Sequence, residues 1–158
     1  MYTGKVKRDK GYVAFTFDEQ RQVEDLEPVL DAMGFTLVDL KMKSMHGTLQ
    51  IHLVVHKGEG ISLDDCADIY KTLYPRLELS LDCEDIQLEV SSPGIGRVFK
   101  DKREYGIFKN MPVALLMDNE SEWRKGFIKE VREENIEFEE GKELYTVSFD
   151  TIRKAKLI

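Results

Sequence analysis

Apolar side chains recur along this chain with two different periods, and the changes between them outline its architecture. From Asp18 to Gly34 they fall at three- and four-residue steps (Val23, Leu26, Val29, Leu30, Met33), which places them on one helical face, and Gly34 is suited to end that helix. Pro28 lies inside the run and has no N–H for the carbonyl of Glu24, so a kink or a break with re-initiation is expected. From Phe35 to Lys43 the period drops to two, with Val38, Leu40 and Met42 on one side and Asp39, Lys41 and Lys43 on the other. Thr48 to His56 repeats the scheme with Leu49, Ile51, Leu53 and Val55 inward, and Ser44-Met45-His46-Gly47 is short enough to join the two strands as a hairpin. One face is apolar; the other carries lysines, His52 and His56.

Gly58-Glu59-Gly60 breaks this strand, and Ser62-Leu63-Asp64-Asp65 has the form of a capping box. Cys66, Ile69, Tyr70, Leu73 and Leu77 give the following helix its apolar stripe, which Pro75 is expected to interrupt near its end. After a polar loop from Ser80 to Asp85, Ile86 to Val90 reads as a third strand. The order α-β-β-α-β lets both helices cover the apolar side of a three-stranded sheet and leaves its other side wet.

The segment Leu88-Glu89-Val90-Ser91-Ser92-Pro93-Gly94-Ile95-Gly96-Arg97 ends that strand at a sharp corner. Pro93 pushes Ser92 into the extended region, while Gly94 and Gly96 allow backbone conformations closed to other residues. Beyond it the texture is all-β: Gly106-Ile107-Phe108, Met111 to Met117, Trp123 to Val131, Asn135 to Phe138 and Leu144 to Phe149 read as short strands separated by polar turns. A turn at Asp150-Thr151 and a closing strand through Leu157 complete a pattern that predicts a small barrel. At the other end, the basic run Lys5 to Lys10 is expected as a mobile arm, and Tyr12 to Phe17 fits a short strand. The predicted fold is therefore α+β: an arm over residues 1–17, an α/β domain over 18–93, a corner over 94–98 and a β-barrel over 99–158.

Composition adds bounds to this picture. With 158 residues, 42% hydrophobic and 34% charged, the chain is globular in character and suits one ordinary domain or two small ones. No stretch approaches the roughly 18–20 apolar residues of a membrane span, and the N-terminus lacks the apolar core of a signal peptide, so a cytoplasmic setting without a membrane partner is expected. Cys66 and Cys83 form neither a CxxC pair nor a ligand cluster with the histidines, which fits reduced, filler cysteines. The net charge of −7 argues against bulk attraction to phosphate. Its distribution is uneven: residues 1–96 hold 17 acidic and 10 basic side chains, residues 97–158 hold 13 of each. That asymmetry suggests a basic protein partner for one surface and RNA for another.

Candidate chemistry is sparse. Ser91-Ser92-Pro93-Gly94 either presents hydroxyls and N–H groups to a phosphate or a partner backbone, or turns a strand into an interdomain connection. The pair Gly94-x-Gly96 lacks a following helix pattern and a Lys-Ser/Thr ending, which argues against a P-loop or dinucleotide site, and no cofactor is expected. Ser91, the histidines and the carboxylates have no nucleophile-elbow spacing. His52 and His56 lie about 13 Å apart along one strand, too far to share a metal. Arg97, Lys100, Lys102 and Arg103 after the corner, Trp123-Arg124-Lys125, and Arg153-Lys154-x-Lys156 are the local basic clusters that face RNA best in an acidic protein. Lys41 and Lys43 offer a further contact surface on the wet sheet face, and Trp123 and Phe127 are expected to pack rather than stack on bases.

The segment Leu88 to Gly94, followed by Ile95 and Arg97 and set between an α-β-β-α-β unit and a small barrel, resembles the ribosome maturation factor RimP family. Gly34-Phe35-x-Leu37-Val38-Asp39, Ile61-Ser62-Leu63-Asp64-Asp65-Cys66 and Ile152-x-Lys154-Ala155-Lys156-Leu157 extend the resemblance over nearly the whole chain after about residue 18. The family pattern has an aspartate before the arginine and a proline after it, where this chain has Gly96 and Val98. The resemblance implies a C-terminal SH3-like or Sm-like barrel and a cytoplasmic, non-enzymatic, monomeric assembly factor. Its partners would be the immature small ribosomal subunit, through a ribosomal protein of the decoding region, and ribosomal RNA. Two other classes compete: an Sm-like RNA chaperone, and an enzyme using the Ser-Ser-Pro-Gly-x-Gly corner as an anion cradle.

Overall fold

A computed structural model describes residues 5–6, 15–81 and 85–158. Contacts within the chain divide it between Pro93 and Gly94 into two units. In the first, α1 (Phe17–Ala32) and α2 (Leu63–Ser80) flank β3 (Thr36–Met45), β4 (Thr48–His56) and β5 (Asp85–Ser91), and a short ribbon pairs β1 (Lys5–Val6) with β2 (Phe15–Thr16). The remaining residues of the expected basic arm, 1–4 and 7–14, lie outside the described residues.

The sheet order is β3-β4-β5, antiparallel between the first two strands and parallel between the last two. Its hairpin is a two-residue turn in which His46 and Gly47 both have positive φ (52° and 82°), the pairing that matches the natural twist of flanking strands. Helix α1 packs against β3 and α2 against β5, burying Leu26, Leu30, Ile69, Leu73 and Leu77 together with Leu40, Ile51, Leu53 and Ile86. The opposite face carries Lys41, Lys43, Gln50, Gln87 and Glu89, all exposed, as the alternation predicts. That alternation fails at one place. Leu37, Val38, Asp39 and Leu40 are all buried, because a bulge between Leu37 and Asp39 inserts Val38 as an extra residue.

Both prolines are carried inside unbroken helices: of the kink or break expected at Pro28 the break does not occur, and the interruption expected at Pro75 is absent. An interior proline costs about 3 kcal/mol. Burying Leu26 and Leu30 on either side of Pro28 contributes about 1.5–3 kcal/mol each, enough to hold the helix through it. Helix α1 ends as its glycine requires: Gly34 sits at φ +88°, its N–H reaches Asp31 O, and the N–H of Phe35 reaches Leu30 O. At the start of α2 the capping box is complete, with Ser62 Oγ accepting from Asp65 N and Asp65 Oδ2 accepting from Ser62 N, both at 3.0 Å. The backbone N–H of Ser62 holds the Asp65 carboxyl below its usual pKa.

In the second unit, β6 (Pro112–Met117), β7 (Arg124–Val131), β8 (Asn135–Glu140), β9 (Glu143–Ser148) and β10 (Ile152–Leu157) form one antiparallel sheet of order β10-β6-β7-β8-β9, with a 3-10 turn at Phe149–Thr151 before the last strand. A five-stranded antiparallel sheet thus stands where the strand spacing predicts a barrel; a pairing that closes it is not among its ladders. The expected strand Gly106-Ile107-Phe108 is not a strand. Lys102–Ile107 is a short helix, α3, capped by Asp101, whose Oδ1 accepts from Glu104 N. The pattern Asp101-x-x-Glu104 ahead of Tyr105 and Phe108 is an N-terminal helix signal that outweighs the β-like look of three residues. Phe99, Tyr105, Phe108 and Phe149 pack there with ring centroids 5.1–5.2 Å apart, and burial pushes the Tyr105 hydroxyl up to about 12. No helix among the described residues is long and apolar enough to cross a membrane.

Candidate functional site

The corner that ends β5 is built from two different anchorages. On the β5 side, Ser91 Oγ lies 2.8 Å from His52 Nε2 on the neighbouring strand, so this hydroxyl is already engaged, while Ser92 is exposed. On the other side, the N–H of Arg97 donates to Gly94 O, closing a tight turn with Ile95 at its exposed tip and Gly96 at φ +87°. The chain then pairs with β10: Gly96 N reaches Leu157 O, Leu157 N reaches Arg97 O, and Phe99 N reaches Ala155 O. The amides of Gly96, Arg97 and Phe99 are therefore committed to backbone carbonyls, and an anion cradle built on them has lost its donors.

Arg97 itself is turned inward. Its Nε donates to Glu104 Oε1 at 2.6 Å, with the Arg97 side chain 13% exposed and that of Glu104 fully buried. Glu104 also accepts from the backbone N–H of Lys100 at 2.8 Å. This carboxylate organises the segment after the corner, and sequence reading passed over it although Asp101-x-x-Glu104 marks it as a capping position. The remaining residues of that cluster divide. Lys100 is exposed, Lys102 is half-buried with its Nζ 4.8 Å from the Phe149 ring centroid, and Arg103 is half-buried with its Nε 3.9 Å from Asp101 Oδ2.

Arg124 is likewise held. Its Nη2 and Nε reach Glu140 Oε1 at 2.9 and 3.2 Å, and its guanidinium stands 5.1 Å from the Tyr145 ring centroid; the hydrogen bond to Glu140 is the main reason its pKa is raised. Its neighbour Lys125 is exposed and points to the other side of the sheet. Cross-strand register places Lys125, Ala114 and Lys156 in one row and Lys154 beside Leu116 in the next, all on that outer face. Trp123 lies under Lys156, whose Nζ is 4.2 Å from its ring centroid, so Trp123 packs, as expected. Phe127, two residues after Lys125 on the same face, is 38% exposed.

In the first unit, Lys41 pairs across the sheet with His52 and His52 with Glu89, while Lys43, Gln50 and Gln87 form the next row. Together they line a shallow depression of about 520 Å³. His52 Nε2 is 4.0 Å from Glu89 Oε1, and burial lowers the pKa of His56 further along the strand. The surface is of mixed charge, suited to hydrogen-bonding contact rather than to capture of a polyanion.

The RimP N-terminal domain family matches residues 25–96. Across the whole chain, the ribosome maturation factor RimP of Borrelia garinii subsp. bavariensis is 31% identical over 145 residues, covering 90% of this chain and 97% of that protein. The ribosome maturation factor RimP of Borrelia hermsii is 29% identical over 132 residues, covering 84% and 90% of the two chains. That of Borrelia recurrentis is 26% identical over 140 residues, covering 88% and 96%.

Proposed function

The chain belongs to the ribosome maturation factor RimP family, and from that premise we propose that it binds the immature small ribosomal subunit and assists its assembly without catalysing a reaction. The observation that carries this reading is the extent of the likeness: it runs through both units and nearly the full length of the relatives rather than stopping at the corner motif. A non-catalytic role fits the corner, where the N–H groups of Gly96 and Phe99 are taken by β10 and that of Arg97 by Gly94 O.

The two units suit two kinds of contact. The acidic first unit matches a basic ribosomal protein of the decoding region, and the second unit, in which the five strands curl as an SH3-like barrel, offers its lysines to ribosomal RNA. Residues 94–98 connect the two in a monomer working in the cytoplasm. Co-sedimentation tests the proposal: the tagged full chain should travel with immature small-subunit particles and not with mature ribosomes, and its absence from every subunit fraction would overturn it.

A further inference from the structure

Most arginines of the second unit face a carboxylate. Arg97 meets Glu104, Arg124 meets Glu140, Arg132 meets Glu137 and Arg103 stands near Asp101. The lysines on the outer sheet face differ: among the described residues no ion pair takes up Lys125 or Lys154, both exposed, and Lys156 rests on the face of Trp123. Register fixes their spacing. Lys125 and Lys156 are separated by one intervening strand, roughly 10 Å, and Lys154 lies roughly 7 Å along β10 from Lys156. The residue between them, Ala114, is too small to stand above the row. Phe127 follows Lys125 on the same face, again roughly 7 Å away, with its ring partly open to solvent. Glu139 is its cross-strand neighbour on β8 and ends the cationic strip on that side.

We propose that this strip, Lys154, Lys156 and Lys125 with Phe127 at its end, binds single-stranded RNA, its lysines taking two or three successive phosphates and the Phe127 ring stacking on one base. An aromatic ring beside a short row of lysines matches an unpaired strand, whose bases are free to stack, better than a duplex, whose bases are not. The like charge of Glu139 directs the strand along β10 and β7 instead of across β8. The inference deepens the reading above by naming which surface meets RNA, and rests on it only for the RNA's identity.

The test uses the full chain and fluorescently labelled oligouridine, with a duplex RNA of equal length, titrated at several salt concentrations. Oligouridine should bind more tightly than the duplex and change the emission of Trp123, the single tryptophan, through Lys156. The variant K125Q/K154Q/K156Q should bind at least tenfold more weakly, and its salt slope should fall by about 2, since each lost phosphate contact on a single strand removes about 0.7. F127A should lose roughly tenfold with an unchanged slope, and F127Y should restore it. Circular dichroism melts monitor the fold of each variant. Unaltered affinity and slope in the triple-lysine variant, equal binding of duplex with no effect of F127A, or a triple-lysine variant that loses binding of a glutamate-rich peptide but not of oligouridine would each overturn the proposal. Co-sedimentation with small-subunit particles is scored separately: if it persists while oligouridine binding ignores the strip, this inference fails and the family reading stands; if the strip binds oligouridine but no subunit fraction carries the protein, the reverse holds.

Discussion

Arg97 shows how a residue that looks like a ligand contact can instead hold structure. An arginine after a glycine-rich corner invites a phosphate, yet here it neutralises a carboxylate that has no access to water. Removing one member of a buried pair leaves the other charged and unsolvated, so Arg97→Ala should cost about 3–5 kcal/mol, whereas Arg97→Ala combined with Glu104→Ala should recover part of that loss. Urea unfolding followed at Trp123, which lies in the same unit, reads both; equal losses in single and double variants would show that the pair is not the cause. Gly96 carries the neighbouring constraint. At φ +87° a Cβ costs about 1–2 kcal/mol, and aspartate tolerates this region better than alanine, so Gly96→Asp, the residue of the family pattern, should be milder than Gly96→Ala in the same assay.

At the scale of elements, backbone approach decides what pattern alone leaves open. Gly126 in β7 lies so close to β8 that an added Cβ would overlap the carbonyl oxygen of Glu139, a backbone atom that moves only if the ladder moves. Gly126→Ala should therefore separate β7 from β8 and cost roughly 3 kcal/mol or more, measurable as a lower midpoint at Trp123. Pro75 gives the opposite sign. It is exposed within α2, so Pro75→Ala restores an N–H to the carbonyl of Lys71 without opening a cavity, and should stabilise the first unit by about 1–2 kcal/mol in circular dichroism melts. These two sites also mark what was legible in the sequence. Period and caps placed both helices and the three strands of the first unit, because each side chain there has one apolar face to join. The helix at Lys102–Ile107 escaped because six residues give too little period to read. The bulge at Val38 depends on β4, a partner distant in sequence that no local pattern contains, whereas the turn of Arg97 toward Glu104, seven residues on, follows from the same short helix that escaped.

For the molecule as a whole, the distribution of charge sets how it meets a ribonucleoprotein. The entire net excess of seven negative charges lies before Arg97, so on the proposed reading the first unit would repel RNA and attract basic protein, and the strip on the second unit would bind RNA only at short range. Reversing charge on the exposed helical surfaces should therefore affect the two contacts differently. Asp25 and Asp68 are exposed on α1 and α2, outside the caps and outside every ion pair among the described residues. In D25K/D68K, the rate of association with small-subunit particles should fall several-fold, because steering toward basic protein acts on the on-rate, while oligouridine affinity stays level or rises as long-range repulsion weakens. Stopped-flow association at two salt concentrations separates these terms: the difference between wild type and variant should shrink at the higher salt. A slower association that is indifferent to salt would place the loss in a specific contact of Asp25 or Asp68, and a faster association would mean that the first unit faces RNA after all.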